Sequence, residues 1–138
     1  MSSGSGGAFK RVLIVDDCAD NRRLITASLK SIRGIVAEEA SDAWSALRVI
    51  VKRVPDLIIL DMNLPVLSGY LTASMVRAWG GRFANLPILA LTAAVEPDVR
   101  ARCLRAGASD YIAKPFVPTA LRAKVKAALD HACAPASQ

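Results

Sequence analysis

The chain has 138 residues, of which 53% are hydrophobic and 22% are charged, and its formal net charge is +6. This length fits one domain, and the balance of apolar and charged residues is typical of a globular chain and not of a disordered one. No apolar run approaches the roughly 20 residues that a membrane-spanning helix needs. The three cysteines and one histidine form no Cys-x-x-Cys pair and no Cys/His cluster, so the sequence indicates neither a zinc site nor a disulfide framework.

The lysine and arginine residues are spread along the chain, and no recognition-helix or RNA-binding motif accompanies them. We therefore interpret the positive charge as a solvated surface, with nucleic-acid binding as the less favoured alternative. The sparse, unpatterned cysteines favour a reducing, cytoplasmic setting. Residues 1–9 are rich in glycine and serine and are predicted to be a flexible leader, and residues 132–138 a flexible tail. One domain is then expected over residues 10–131.

Three continuous apolar runs predict β-strands, and they are Val12–Val15, Leu57–Leu60 and Ile88–Leu91. Because apolar residues in these runs are continuous and do not alternate with polar ones, each strand is expected to be covered on both faces of a sheet. Ile35–Glu38 and Asp110–Ala113 are weaker strand candidates.

The segments between the strands are amphipathic, and each is predicted to be a helix with its apolar face toward the sheet. The fourth helix is expected to begin at 96–98, with a proline in its first turn, and to end at Gly107. Strands that alternate with helices of this length imply an α/β fold, with a doubly wound, five-stranded parallel sheet. The predicted core-facing residues are Leu24, Ile25, Ser28, Leu29 and Ile32; Ala43, Trp44, Leu47, Ile50 and Val51; Leu71, Met75 and Trp79; Val99, Cys103 and Ala106; and Leu121, Val125, Ala128 and Leu129.

Polar residues directly follow four of the predicted strands. They are Asp16 and Asp17, Asp61, Thr92 and Lys114. Parallel strands bring these residues to one edge of the sheet, where ligands of such folds bind. Three adjacent carboxylates repel one another, and a hard divalent cation such as Mg²⁺ would remove that conflict.

The same group of residues lacks a glycine-rich phosphate loop, so nucleotide binding is not indicated. It instead suits an aspartate that attacks phosphorus and forms an acyl phosphate. Such a transfer needs a metal ion, an ammonium and a hydroxyl around the oxygens of the phosphoryl group.

At these residues the sequence resembles the receiver domains of response regulators, the CheY-like family. The resemblance runs from about residue 11 to about residue 130, and it implies a (βα)5 fold with strand order 2-1-3-4-5. The stretches that carry it are Val12–Asp17, Leu57–Pro65, Ala90–Ala93 and Gly107–Phe116.

The resemblance implies a role for each matching residue. Asp61 would be the phosphoacceptor and, with Asp17, a side-chain ligand of Mg²⁺. Asp16 would act mainly through metal-bound water, and Asn63 would offer its backbone carbonyl.

Other matching positions would contact the phosphoryl group or respond to it. Thr92 would form a hydrogen bond with it, and Lys114 would pair with it. Thr92 and Tyr111 would form the switch, in which the Tyr111 ring moves inward when Thr92 shifts. The Lys114–Pro115 peptide bond is expected to be cis.

The function implied by the resemblance is that of a signalling switch and not of an enzyme with an independent substrate. A histidine kinase or a histidine phosphotransfer domain would supply the phosphoryl group, and a downstream protein would bind the changed surface. A phosphorylation-linked dimer is a further expectation. Gly69–Tyr70 and Ala90–Ala93 are similar to receivers of hybrid histidine kinases, so a stand-alone receiver and one excised from such a kinase both stay open.

Three alternatives come from other functional classes. An aspartyl-nucleophile phosphatase of the haloacid dehalogenase type usually has Asp-x-Asp after its first strand. This alternative is disfavoured because the chain has the adjacent pair Asp16–Asp17 there. A flavodoxin-like carrier is disfavoured because no hydroxyl- and glycine-rich phosphate loop follows the first strand, and the acidic segment at 17–20 would repel a phosphate in the absence of a metal ion. A degenerate receiver that acts only as a docking module is disfavoured by four intact residues, which are Asp17, Asp61, Thr92 and Lys114.

Overall fold

Five β-strands alternate with five α-helices in the computed structural model, which describes residues 9–93 and 98–133, with side chains up to residue 130. A short 3-10 helix, Gly81–Asn85, precedes the fourth strand. The elements are β1 (Lys10–Val15), α1 (Ala19–Leu29), β2 (Ile35–Ala40), α2 (Ala43–Lys52), β3 (Leu57–Asp61), α3 (Gly69–Ala78), β4 (Ile88–Thr92), α4 (Val99–Ala106), β5 (Asp110–Ala113) and α5 (Pro118–Cys133).

All five strands are parallel and lie in the order β2-β1-β3-β4-β5. This order confirms the predicted doubly wound sheet. Every residue of β3 and of β4 is buried, as expected for strands covered on both faces. The register pairs Asp61 of β3 with Leu91 of β4, and Thr92 of β4 with Ala113 of β5. The carboxyl ends of the central strands are therefore adjacent, with Thr92 one residue beyond the partner of Asp61.

The sheet separates two apolar layers. Leu13 and Val15 of β1 face the layer covered by α2, α3 and α4. Val12 and Ile14 face the layer covered by α1 and α5. This alternation follows from the two-residue period of a strand, which sends successive side chains to opposite faces.

The predicted core face of α3 is wrong for two of its three residues, while the third, Met75, is partly buried against the core. Leu71 is 51% exposed and Trp79 is 40% exposed, whereas α3 buries Gly69, Thr72, Ala73 and Val76. Small side chains let this helix approach the sheet closely, so the larger apolar residues are displaced to its flanks.

The predicted core faces of α1 and α2 include residues that the structure leaves exposed. In α2, Trp44 is 54% exposed and Val51 is 59% exposed, and in α1 Leu24 is 45% exposed. The remaining predicted residues of the α2 face are buried. A helix on a sheet buries only the side chains nearest the sheet, and apolar residues at the edge of that stripe stay partly in solvent.

The helix ends are defined by local hydrogen bonds and backbone conformation. Asp42 caps α2 by accepting a hydrogen bond from the Ser45 backbone N–H at 2.7 Å. Gly107 ends α4, as predicted, with a φ of 116°, a left-handed conformation that glycine adopts at little cost.

Some of the predicted boundaries fall on residues that the structure does not describe. The predicted start of α4 at 96 and 97 lies outside the described residues, and α5 extends to Cys133, two residues past the predicted end of the domain. The rest of the predicted leader and tail, residues 1–8 and 134–138, also lies outside them. Among the helices of the described ranges, none is long and apolar enough to cross a bilayer.

Candidate functional site

Three carboxylates converge at the carboxyl edge of the sheet. Asp61 is the last residue of β3, and Asp16 and Asp17 directly follow β1. One carboxylate oxygen from each of the three lies within 4.8 Å of the other two. Asp16 and Asp61 are buried, whereas Asp17 is exposed. The group therefore opens to solvent on the Asp17 side.

One ammonium group faces this acidic trio. The Lys114 Nζ lies 3.3 Å from Asp61 Oδ2 and 3.7 Å from Asp16 Oδ2. Lys114 follows β5, where its backbone N–H donates to the Thr92 carbonyl oxygen at 2.8 Å. The Lys114–Pro115 peptide bond is cis, as the family resemblance implies. One positive charge offsets only part of three negative ones, so the site keeps an excess of negative charge.

Backbone groups orient the two buried carboxylates. Asp16 Oδ1 accepts a hydrogen bond from the Cys18 N–H at 2.9 Å, and Asp61 Oδ1 accepts one from the Asn63 N–H at 2.9 Å. Burial raises the pKa of Asp61 and the charge of Asp16 raises it further, while the Asn63 N–H and Lys114 act in the opposite direction. Because Asp61 Oδ1 accepts the hydrogen bond from Asn63, Oδ2 is the oxygen that faces Lys114.

Thr92, Asn63 and Tyr111 lie around this centre. Thr92 is fully buried at the end of β4. The Asn63 side-chain oxygen accepts a hydrogen bond from the Ala93 N–H at 3.5 Å, so the loop after β3 is joined to the loop after β4. Tyr111, on β5, is partly buried against the core, and the Lys124 Nζ lies 5.9 Å from the centre of its ring.

Tyr70 is a neighbour of the site that the sequence did not indicate. Burial raises the pKa of Tyr70, and Cys103 and Thr92 are among the groups that act on its hydroxyl. The Arg102 guanidinium lies 4.4 Å from the centre of the Tyr70 ring. No spacing or motif in the sequence pairs a residue of α3 with one of β4, because the contact depends on how α3 packs.

Gly69, the neighbour of Tyr70, is required by a close backbone approach. A Cβ at this position would lie 2.5 Å from Met62 Cα and closer still to the carbonyl oxygen of Asp61. The Gly69 N–H also donates to the Met62 carbonyl oxygen at 3.2 Å. The start of α3 is thereby held against the residue that ends β3.

The donor atoms of the acidic trio suit a hard divalent cation. Oxygen donors that carry charge, at a site open to water on one side, match the preference of Mg²⁺ for carboxylates and retained waters. The raised pKa of Asp61 reflects the cost of burying a carboxylate beside another one, and a cation would relieve that cost. The residues therefore fit such an ion.

Comparison with known proteins agrees with this geometry. Residues 12–126 match the family described as the response regulator receiver domain. Over 120 residues the chain is 42% identical to the phosphate regulon transcriptional regulatory protein PhoB of Pseudomonas aeruginosa, a match that covers 87% of this chain and 52% of PhoB. It is 38% identical over 125 residues to the transcriptional regulatory protein PrrA of Mycobacterium tuberculosis, covering 91% of this chain and 52% of PrrA.

Solved structures give the same result. A putative response regulator from Chloroflexus aurantiacus superposes with a TM-score of 0.82 at 35% identity, covering 88% of this chain and 98% of that one. The chemotaxis protein CheY4 of Vibrio cholerae superposes with a TM-score of 0.81 at 32% identity, covering 88% of this chain and 100% of that one.

The chain spans about half the length of the curated relatives it matches. Those two relatives are named as transcriptional regulators, so the resemblance to receivers of hybrid kinases stays a prediction. The match itself covers most of the described chain, with the fold and the acidic edge of the sheet included. This chain belongs to the response regulator receiver domain family.

Proposed function

We propose that Asp61 accepts a phosphoryl group from a phosphohistidine in a Mg²⁺-dependent reaction, and that the phosphorylated domain presents a changed surface to a protein partner. The observation that carries this proposal is the position of Asp61, whose Oδ2 lies 3.3 Å from the Lys114 ammonium and within 4.8 Å of two further carboxylates. These neighbours suit a phosphorylated carboxylate, because the ammonium can pair with a phosphoryl oxygen and the two further carboxylates can bind a metal ion.

In the proposed reaction, a carboxylate oxygen of Asp61 attacks the phosphorus of the donor. The bond between phosphorus and the donor's imidazole nitrogen breaks, its electron pair returns to the ring, and an acyl phosphate forms on Asp61. Since such a transfer demands mainly positioning and charge neutralisation, the hydrogen bond from the Asn63 N–H to Asp61 Oδ1 orients the nucleophile beforehand.

The charge on the transferred group has two protein partners in this scheme. Lys114 would pair with one phosphoryl oxygen, and Thr92, at the end of the adjacent strand, would donate a hydrogen bond to another.

Mg²⁺ would be held by Asp17 and Asp61 directly, by Asp16 mainly through water, and by the Asn63 backbone carbonyl. When bound, the ion would neutralise phosphoryl oxygens and the excess negative charge of the trio.

The proposed output is a population shift between two surfaces. Thr92 would move toward the phosphoryl group, Tyr111 would turn inward, and a partner that prefers this state would bind. The donor would be a histidine kinase or a histidine phosphotransfer domain in the cytoplasm, and a phosphorylation-linked dimer is one form the output could take. PhoB and PrrA are named as transcriptional regulators, so nucleic-acid binding by a longer protein that contains this domain stays open, and for the domain itself it stays the less favoured alternative.

Phosphorylation by a small donor tests the proposal. Acetyl phosphate with Mg²⁺ should add one phosphoryl group that hydroxylamine removes, as measured by intact mass and by a phosphate-affinity gel shift. Asp61→Asn should abolish labelling. Asp17→Ala should remove metal binding, so that its labelling no longer depends on whether Mg²⁺ is present. Asp110→Asn, at a carboxylate whose partner is Lys124, is the matched control and should be labelled like the wild type.

Two rival functions predict different results. A degenerate receiver that serves only for docking would remain unlabelled with every donor. An aspartyl-nucleophile phosphatase would turn over generic phosphate esters continuously. Full labelling of Asp61→Asn at another residue would refute the assignment of the phosphoacceptor.

A further inference from the structure

A groove of about 450 Å³ lies between α3 and α4 on the surface of the domain. Two arginines, two serines, a tyrosine and a leucine line it, and they are Arg102, Arg105, Ser68, Ser74, Tyr70 and Leu71. None of the described residues that line this α3–α4 groove is acidic. The groove is therefore positively charged.

The two arginines of the groove have no carboxylate partner within the part of the chain that the structure describes. Both are exposed, and neither takes part in any of the ion pairs of the described residues. Elsewhere on the surface, Arg22 and Arg23 each pair with a carboxylate at 2.9 Å. The groove thus presents two guanidinium groups that a negatively charged partner can reach.

The Tyr70 ring holds one of these guanidinium groups in place. The central carbon of the Arg102 guanidinium lies 4.4 Å from the centre of the ring, where a cation is attracted to the aromatic face. A guanidinium has five N–H donors in one plane, so contact with a ring still leaves donors for a carboxylate. Because Arg102 is positioned before any partner binds, less side-chain entropy is lost on binding.

Two hydrogen bonds join the walls of the groove. Ser74 Oγ, on α3, donates to the Ala106 carbonyl oxygen at 3.2 Å. Arg77 Nε, one turn further along α3, donates to the Gly107 carbonyl oxygen at 2.9 Å. The spacing between α3 and the end of α4 is therefore set within the unphosphorylated domain, and the groove is formed in advance of any partner.

We propose that the α3–α4 groove binds an acidic helix of a partner protein, with one carboxylate on Arg102, another on Arg105 and an apolar side chain on Leu71. The two arginines are three residues apart on α4, which is about 4.5 Å along the helix axis. Carboxylates three or four residues apart on a partner helix lie about 5–6 Å from each other, so the two sets of charges match in spacing.

The apolar part of the groove favours a protein over a nucleic acid as the partner. Leu71 is 51% exposed, and a phosphate backbone would gain nothing from covering it, whereas an apolar side chain of a protein would. Tyrosine and arginine are also the residues that most often dominate the binding energy of protein interfaces. The proposal does not rest on the proposed function, because both arginines lie outside the acidic trio.

A synthetic peptide tests the charges of the groove. The probe is a fluorescein-labelled, alanine-rich helical peptide with two glutamates one turn apart and a leucine on the same face, and its binding to the full chain is followed by fluorescence anisotropy. Arg102→Gln and Arg105→Gln should each weaken binding by about two- to fivefold, as expected for an exposed ion pair. Arg33→Gln is the matched control, since it removes the same charge at an exposed position between α1 and β2, and it should bind the peptide like the wild type.

A second pair of measurements tests the apolar contact. Leu71→Ala should weaken binding of the peptide by about threefold or more. It should leave unchanged the affinity for a peptide with alanine in place of the leucine. This comparison separates docking in the groove from a general attraction between an acidic peptide and a chain with a net charge of +6.

Reversal of the charges gives a result that loss of folding cannot imitate. The double variant Arg102→Glu with Arg105→Glu should no longer bind the glutamate peptide and should bind a peptide with lysines in place of the glutamates. Urea unfolding checks that the double variant is folded. Asp61→Asn should bind the glutamate peptide like the wild type, because the groove is present without phosphorylation.

Several outcomes would overturn the proposal. The first is equal affinity of the wild type, Arg102→Gln and Arg105→Gln for the glutamate peptide. The second is binding of duplex DNA that both variants lose, with no binding of the peptide, since the groove would then contact nucleic acid. The third is loss of peptide binding in Asp61→Asn. A failure of acetyl phosphate to label the wild type would refute the proposed function and would leave these peptide results as they are.

Discussion

The Mg²⁺-free protein should become more stable when its proposed phosphoacceptor loses its charge. In Asp61→Asn, the side chain keeps its shape while its repulsion from Asp16 and Asp17 disappears, together with its attraction to Lys114. Burial contributes in the same direction, since it raises the pKa of Asp61 and thus opposes the charged form. The variant that cannot be phosphorylated is therefore expected to fold more stably than the wild type.

The magnitude follows from the distances at the site. Two unit charges at 4.8 Å, the upper limit of the separations within the trio, repel by about 0.9 kcal/mol in water and by about 3.5 kcal/mol at an effective dielectric constant of 20. Neutralising Asp61 removes two such repulsions and one attraction to Lys114 at 3.3 Å, which is worth about 1.3 to 5 kcal/mol over the same range. The balance favours Asp61→Asn by about 0.5 to 2 kcal/mol, a rise of a few degrees in Tm.

The assay is urea and thermal unfolding at neutral pH, in EDTA and again in Mg²⁺. The wild type should gain stability in Mg²⁺, because a ligand that binds only the folded state stabilises it, and Asp61→Asn should gain much less. Asp20→Asn is the control, since Asp20 is exposed and pairs only with Arg23 at 2.9 Å among the contacts described; it should stay within about 0.5 kcal/mol of the wild type. Equal or lower stability of Asp61→Asn in EDTA would refute this reasoning.

The same prediction has a definite dependence on pH. Because the pKa of Asp61 is raised in the folded state above its ordinary value of 3.8, the folded protein binds this proton more tightly than the unfolded chain does. The penalty is absent below pH 3.8, grows as the pH rises through the folded pKa, and is complete above it. The advantage of Asp61→Asn should accordingly shrink as the pH is lowered.

Three further substitutions test the surroundings of the site. Gly69→Ala should lower the free energy of unfolding by about 1 to 3 kcal/mol and slow labelling by acetyl phosphate, because the new Cβ meets Met62 Cα at 2.5 Å and the backbone of Asp61. Urea unfolding measures the stability and gel shifts measure the labelling, and a normal rate of labelling would argue against this contact. Lys114→Met should tighten Mg²⁺ binding in calorimetry, because a competing cation is removed, and yet slow phosphorylation; weaker Mg²⁺ binding would contradict that role. Ile50→Ala, at a fully buried position, should cost about 2 to 5 kcal/mol in urea unfolding with unchanged Mg²⁺ affinity, and a change in that affinity would show that the core and the site are coupled.

The strands and the acidic edge could be predicted because both follow from short-range patterns. A continuous apolar run such as Leu57–Leu60 indicates a strand buried on both faces, and the structure buries every residue of β3. A polar residue directly after such a run lies at the carboxyl edge of a parallel sheet. That rule alone brings Asp16 and Asp61 together, without any knowledge of the helices.

The helix faces were less predictable because apolar size is a poor guide to proximity. In α3, the sequence pattern selected Leu71 and Trp79, which are largely exposed, and it missed Ala73 and Val76, which are buried. A small residue has little hydrophobic surface and so a weak signal in a periodic pattern, although it permits the closest packing. The sequence pattern therefore identified residues at the side of the helix and missed those that contact the sheet.

Tyr70 could not be predicted for a related reason. The proximity of Tyr70 to Thr92 depends on Gly69 and on the close approach of α3 to β3. Nothing in the linear order of residues records that distance.

The register of the strands determines how this domain can change over evolution. Asp61 and Thr92 owe their positions to the pairing of β3 with β4 and of β4 with β5. One residue inserted within β4 would exchange the faces of the residues that follow it and would place Leu91, which has no hydroxyl, where Thr92 now stands. Insertions and deletions should therefore survive in the loops at the opposite edge of the sheet, such as the one before Ile88, while the lengths of β3 and β4 stay constant among functional descendants of this chain.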